Sequence, residues 1–235
     1  MPTKPKIAIL SGAGISAESG IRTFRAADGL WEEHRVEDVA SPSGWRRDRE
    51  LVLDFYNQRR RQLKEVAPNA AHLAIADLER DFDVTVITQN IDNLHERAGS
   101  SHIIHLHGSL IHARSTQDEK LVYEWHDDIT TTDKCERGSQ LRPHIVWFGE
   151  DVPLLSAAAE VVSEADVVIV VGTSMQVYPA AGLVGFAPRK AAVYYVDPSP
   201  TINHELSVRP NLTVIDKPAT VGMAEVVEEL RRQLS

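Results

Sequence analysis

The stretch Lys6-Ile7-Ala8-Ile9-Leu10-Ser11-Gly12-Ala13-Gly14-Ile15-Ser16-Ala17 decides the fold. An apolar run leads straight into Gly12-x-Gly14-x-x-Ala17, the strand, glycine turn and helix start of a dinucleotide-binding βαβ unit. The glycines let a backbone approach a pyrophosphate, and a helix N-terminus offers free N–H groups and partial positive charge. A plain strand-to-helix turn has the same pattern. In the ordinary unit a second strand ends roughly 20 residues later in an acid that holds the ribose. Here that region reads Arg25-Ala26-Ala27-Asp28-Gly29-Leu30-Trp31-Glu32-Glu33, which is no strand. Other segments must complete the site.

Short, nearly continuous apolar runs recur at 7–10, 84–87, 103–106, 167–171, 193–196 and 212–215. Strands covered on both faces read this way. Helical spacing marks 70–80, 155–164 and 222–234 between and after them. Strands alternating with helices predict an α/β fold built on a parallel, doubly wound sheet. Two segments interrupt the alternation. Residues 26–70 are helical and charged, with Leu51, Val52, Phe55 and Tyr56 at helix spacing. Residues 108–145 are polar and irregular, with few apolar residues to build a core. Both read as insertions that form a smaller domain beside the sheet.

At 235 residues, with 43% hydrophobic and 25% charged residues, the chain suits a globular protein of one or two domains. No run approaches the roughly 18 apolar residues of a membrane span. The basic N-terminus runs straight into a core strand, so it is no secretory signal. One cysteine, Cys135, excludes a disulfide framework within the chain and suits a reducing, cytoplasmic setting. A net charge of −9 argues against broad nucleic-acid binding. The arginines of Arg46-Arg47-x-Arg49 and Arg59-Arg60-Arg61 read mostly as solvated helix faces.

Ligands in open α/β folds bind beyond the carboxyl ends of the strands. Three polar clusters fall there. Gln89, Asn90 and Asp92 follow the 84–87 run and suit a ribose or a carboxamide, although Asn and Asp also cap helices. Gly172-Thr173-Ser174 suits a second close backbone approach, or only a turn. His107-Gly108 offers a general base: a His before Gly at a strand end is exposed on a turn, and its unperturbed pKa lies near neutrality.

These clusters occur in one order. Gly-Ala-Gly-Ile-Ser at 12–16, Ser19-Gly20-Ile21-Arg22-Thr23-Phe24-Arg25, Thr88-Gln89-Asn90-Ile91-Asp92-Asn93-Leu94-His95, His107-Gly108, Val146-Trp147-Phe148-Gly149-Glu150 and Gly172-Thr173-Ser174 together closely resemble the sirtuins, the NAD-dependent protein deacylases, in their bacterial form. The resemblance covers nearly the whole chain. It implies a Rossmann-like NAD-binding domain from 1–25, 71–107 and 146–235, a small domain from 26–70 and 108–145, and a cleft between them.

The resemblance also implies roles. Gly12, Ala13, Gly14, Ile15, Ser16, Ala17, Thr23 and Trp31 would hold the NAD pyrophosphate and cover it. Phe24 would shield the reactive ribose carbon, and Arg25 would face the phosphates. Gln89, Asn90, Ile91 and Asp92 would hold the ribose and carboxamide, with Asn90 joining His107, the general base, in catalysis. Gly172, Thr173, Ser174, Val196, Asp197 and Ala219 would close around the adenosine half; the family usually has Asn where Tyr195 stands. Val146, Trp147, Phe148, Gly149 and Glu150 would pair with the backbone of an acyl-lysine protein or peptide. NAD would be consumed as cosubstrate. The products would be nicotinamide, free lysine and O-acyl-ADP-ribose.

Two departures bear on specificity and metal content. Tyr56 and Arg59 lie three apart on one helix face. They match the Tyr-x-x-Arg pair of the sirtuins that remove succinyl, malonyl and glutaryl groups, and Ala40 matches the small residue that widens their acyl pocket. An arginine fork and a tyrosine hydroxyl suit a carboxylate. The family's zinc cysteines are missing: Ser115 and Asp118 stand in their place, and only Cys135 remains. A structural zinc needs four N or S ligands. His112 and His126 have no recognised ligand spacing with Cys135, so a zinc-free module held by packing around Trp125 is expected. Two rivals stay open: an NAD glycohydrolase or ADP-ribosyltransferase, and a non-enzymatic NAD or acyl-lysine binding module. Neither nucleic acid nor membrane is an expected partner.

Overall fold

A computed structural model of the chain describes residues 4–22, 30–31 and 33–234. Among the described residues, eleven strands run in chain order: β1 Lys6–Ser11, β2 Leu30–Trp31, β3 His34–Arg35, β4 Asp83–Thr88, β5 Ile103–His105, β6 Gly108–Ser115, β7 Val122–Glu124, β8 Leu141–Ile145, β9 Val167–Val171, β10 Ala192–Val196 and β11 Leu212–Ile215. The helices are α1 Gly14–Ala17, α2 Val36–Val39, α3 Pro42–Arg47, α4 Arg49–Leu63, α5 Ala70–Leu78, α6 Leu94–Ala98, α7 Leu155–Ser163, α8 His204–Ser207 and α9 Ala219–Leu234, with a 3₁₀ stretch at Ala180–Phe186.

Six strands form the central sheet in the order β11-β10-β9-β1-β4-β5, all parallel. All six apolar runs lie in this sheet, so the doubly wound α/β architecture stands. Alternate side chains along each strand enter opposite cores. Ile7, Ile9, Val84, Val86 and Ile169 pack under α5 and α9 through Ile75, Leu78, Met223 and Val226. Ala8, Leu10, Val168, Val170 and Val193 pack under α7 and the 3₁₀ stretch through Ala158, Val162 and Leu183. The chain builds outward from β1 to β4 and β5, then crosses to β9 on the other side of β1. The switch point, where open sheets place ligands, is therefore the β1–β9 junction.

The segments outside this alternation are more ordered than their composition suggests. Residues 108–145 carry a three-stranded antiparallel sheet, β7-β6-β8, instead of irregular chain. It has a core: Leu110, Ala113, Ile129, Leu141 and Ile145 pack with Val52, Phe55, Tyr56 and Trp45 of α3 and α4. A β-bulge between Ser109 and Ala113 blurs its strand pattern. Within the region read as strandless, Leu30–Trp31 pairs with His34–Arg35 in a two-residue antiparallel ladder. The arginines of α4 are not all solvated either. Arg59 and Arg60 are buried, and Arg60 donates through Nε to Leu110 O and through Nη1 to Asn57 Oδ1. Asp48 starts α4 by accepting from Leu51 N.

Candidate active site

Strand register assembles the site. Ser11 is opposite both Thr88 and Val171, Thr88 is opposite His105, and Val171 is opposite Val196. The residues that follow, Gly12, Gln89, Gly172 and Asp197, thus leave the sheet together along one edge. They line a single cavity of about 400 Å³. Ala13, Gly14, Ser16, Trp31, Asn90, Ile91, Asp92, His107, Thr173 and Ser174 line it too. On its far side stand Ala40, Tyr56, Arg59, Val146, Trp147, Phe148, Gly149 and Glu150. Four of the expected residues lie elsewhere. Ile15, Val196 and Ala219, the first residue of α9, are buried in the core that α9 helps to form, and Ala17 is exposed. Thr23, Phe24 and Arg25 fall outside the described residues.

The glycine turn is held against the turn that follows β9. Gly12 N donates to Val171 O, and Gly14 N donates to Gly172 O. Those amides tie the two sides of the switch point together. Gly172 has φ +61°, and a Cβ there would meet Ile15 N at 2.1 Å. A Cβ on Gly14 would lie 2.8 Å from Gly172 Cα. The glycines are required because two backbones cross in contact. Tyr195, at the position where an asparagine is usual, supports the same crossing: its buried hydroxyl donates to Thr173 O and accepts from Thr201 N.

The polar strand ends form a connected set. Asn90 Nδ2 donates to Ser16 Oγ at 3.2 Å, and Ser16 Oγ donates to Asp92 Oδ2 at 3.0 Å. Asp92 Oδ1 accepts from Leu94 N, so this carboxylate also serves the start of α6. Burial pushes the Asp92 carboxyl up, partly opposed by the Leu94 and Ser16 bonds. Burial likewise raises Asp197. Gln89 Nε2 donates to Thr173 Oγ1, linking β4 to β9.

His107 is half-buried on its turn, not exposed. Its Nδ1 lies 3.0 Å from Gln89 O. A carbonyl can only accept, so Nδ1 carries the hydrogen and Nε2 keeps its lone pair. Burial pushes the imidazole below its ordinary pKa, with the Gln89 bond opposing. The result is a neutral imidazole of fixed tautomer in a cleft, the state required of a general base. His105 does for Asn90 O what His107 does for Gln89 O, and its Nε2 meets Glu96.

Across the cavity, Val146 N donates to His107 O and Phe148 N donates to Ala40 O. This segment therefore ties His107 to Ala40 across the cavity. Glu150 anchors it. Its carboxylate accepts from Arg142 Nη1 and Nη2 at 2.7 and 3.1 Å, and from Trp147 N at 2.8 Å. Arg114 adds a weaker contact. Burial pushes the Glu150 carboxyl up, but these partners outweigh it and hold it below the usual range. The sequence gives little sign of this cluster, since Arg114 and Arg142 sit in strands that read as polar.

Cys135 Sγ lies 3.0 Å from Ser139 Oγ, which lies 2.6 Å from Ser115 Oγ. The Ser139 and Ser115 hydroxyls lower the thiol to about 7. Among the described residues, no three His, Cys, Asp or Glu side chains are grouped to hold a metal ion. No described helix is long and apolar enough to cross a membrane.

The cleft suits a dinucleotide. Its base is a backbone crossing with no room for a Cβ, and carboxylate, amide and hydroxyl groups stand along one sheet edge. Comparisons agree. The Sir2 family model matches residues 12–179. An NAD-dependent protein deacylase of Helicobacter pylori is 54% identical over 224 residues, 95% of this chain and 96% of that protein. One of Bacteroides thetaiotaomicron is 50% identical, covering 97% of both chains. A solved Sir2 homologue–NAD complex superposes with TM-score 0.86 at 41% identity, over 99% of this chain and 91% of that one. A Sir2 bound to acetylated peptide superposes with TM-score 0.79 at 30% identity, over 97% and 94%.

Proposed function

The chain belongs to the Sir2 family, the sirtuins, and on that premise we propose that it is an NAD-dependent protein-lysine deacylase that favours acidic acyl groups, succinyl and malonyl, and also removes acetyl. The observation that carries the reading is that one cavity is lined both by His107, neutral and fixed in tautomer, and by the Tyr56–Arg59 pair. NAD supplies an activated ribose carbon with nicotinamide as its departing group. Gln89, Asn90, Asp92, Thr173, Ser174 and Asp197 are the side chains that would hold it. His107 Nε2 would take the proton of a ribose hydroxyl, while Gln89 O keeps the ring aligned. Positioning in a cleft accounts for most of the rate gain, because the acyl oxygen is a poor nucleophile.

Segment 146–150 would receive the peptide. The amides of Val146 and Phe148 are engaged, so an incoming strand would meet their carbonyls and the Gly149 N–H. Arg59 and Tyr56 would read the acyl carboxylate, and the small Ala40 leaves them room. We read the central sheet with its helices as the NAD-binding domain, and α2 to α4 with the β7-β6-β8 sheet as a zinc-free small domain. Its hydroxyl–thiol chain at Ser115, Ser139 and Cys135 stands where a metal cage would be. A single, buried cysteine supports a reducing, cytoplasmic setting.

The test is NAD-dependent turnover of matched acetyl-lysine and succinyl-lysine peptides. Nicotinamide release should require an acylated peptide, and succinyl should be the better substrate. Release at the same rate without acyl peptide would refute deacylation. Preference for acetyl would refute the acidic specificity alone.

A further inference from the structure

The acyl side of the cleft holds a hydroxyl whose direction is fixed by its neighbour. Tyr56 is fully buried and lines the cavity. Trp147 Nε1 lies 3.1 Å from Tyr56 Oη. An indole N–H can only donate, so the phenol oxygen is the acceptor. The Tyr56 hydrogen itself meets no acceptor among the described residues. A buried donor without an acceptor is disfavoured. Burial also keeps the phenol protonated by raising its pKa far above neutrality.

Trp147 is held firmly enough to impose this. The Arg142 guanidinium carbon lies 3.2 Å from its ring centroid. Trp45 packs against it with ring centroids 5.6 Å apart. Its backbone N–H is bound by Glu150, which also grips Arg142. Arg142 Nη2 donates in addition to Ile145 O, closing the clamp on the segment that carries Trp147.

We propose that Trp147 is a positioning residue for acyl specificity: by occupying the acceptor side of Tyr56 Oη, its indole N–H commits that hydroxyl to donating into the cleft. The pocket then selects an acyl chain that ends in an acceptor, such as a carboxylate, over one that ends in a methyl group. The inference rests on the acidic-acyl reading above.

Trp147→Phe removes the N–H and keeps a ring beneath Arg142. The measurement is kcat/KM for succinyl-lysine and acetyl-lysine peptides in wild type, Trp147→Phe, Tyr56→Phe and the double variant. The succinyl-to-acetyl ratio, which does not depend on the fraction of folded protein, should fall roughly 2- to 10-fold in Trp147→Phe, the span of one neutral hydrogen bond. The double variant should match Tyr56→Phe, because no hydroxyl remains to be oriented. If Tyr56→Phe lowers the ratio and Trp147→Phe does not, or if the two effects add, the orienting role is overturned while the acidic-acyl reading survives. If Tyr56→Phe leaves the ratio unchanged, the orienting role is likewise overturned, whereas the acidic-acyl reading falls only if the wild type itself prefers acetyl.

Discussion

Arg59→Met is the sharpest perturbation of acyl recognition. Arg59 lies on α4, buried, with its guanidinium carbon 3.5 Å from the Phe55 ring centroid and 6.0 Å from that of Trp31. Methionine keeps an unbranched apolar stem against those rings and removes the charge. Among the described residues, the acceptor it gives up keeps another partner. Phe55 O, which takes a hydrogen bond from Arg59 Nη1, is four residues upstream within α4 and also faces the Arg59 backbone N–H. The predicted loss is the charge-assisted bond to a bound carboxylate. Hydrogen bonds to a charged group contribute about 1.5–3 kcal/mol, and about 1.36 kcal/mol is tenfold in rate. Succinyl-lysine kcat/KM should fall roughly 10- to 150-fold. Deacetylation should fall much less, because an acetyl group is too short to reach the guanidinium. Steady-state assays on two peptides of the same sequence decide it. An equal fall in both activities, or an unchanged desuccinylation rate, would show that Arg59 does not read the carboxylate.

Other expectations concern the base, the metal and the core. His107→Ala should lower turnover by about 10²-fold or more while NAD binding, followed by calorimetry, persists; retention of more than about a tenth of the rate would remove His107 from the base role. Since burial lowers its pKa, the acid limb of kcat/KM should lie below the ordinary histidine value, with activity lost as pH falls through it; a limb at or above that value contradicts the assignment. Elemental analysis of protein purified without chelator should find well under one zinc per chain, and stoichiometric zinc that survives dialysis would implicate His112 or His126 beside Cys135. His72 and His95 are buried, and burial lowers them to about 4 and about 3. Both are depressed in the folded state, so their stabilising contribution is complete above an unfolded pKa of about 6.5 and is lost as pH falls below it. Urea unfolding at stepped pH should show this slope, and His95→Gln should flatten it; an unchanged slope would mean His95 is already protonated when folded.

The central sheet was legible in the sequence because strands covered on both faces are almost purely apolar, from Ile7–Leu10 to Leu212–Ile215. The strand-end clusters followed from it, since parallel register delivers them to one edge. The second sheet was not legible. Arg114 and Arg142 lie buried in β6 and β8, and a reading by polarity places such strands in loops; their burial depends on Glu150, distant in sequence and close in space. Arg60 escaped in the same way, its charge satisfied in part by Leu110 O and Asn57. Gly12 and Gly14 were legible as a glycine turn, but a pattern along one chain cannot show that this turn packs against a second one, at Gly172.

The row formed by His105, Thr88, Ser11, Val171 and Val196 means that the nucleotide side of this protein needs no assembly step of its own. A slip of one residue in any ladder would exchange the side chains of the two cores, each of which is packed to fit its own helices. The same forces that align the core thus align the cleft, and hydrophobic burial acts as the tolerance gauge for catalytic geometry. The acyl side has no such guarantee. It hangs on Glu150 and two arginines, contacts that lie outside the central sheet. Substrate choice is accordingly the part of this machine that can drift while the cofactor half stays fixed.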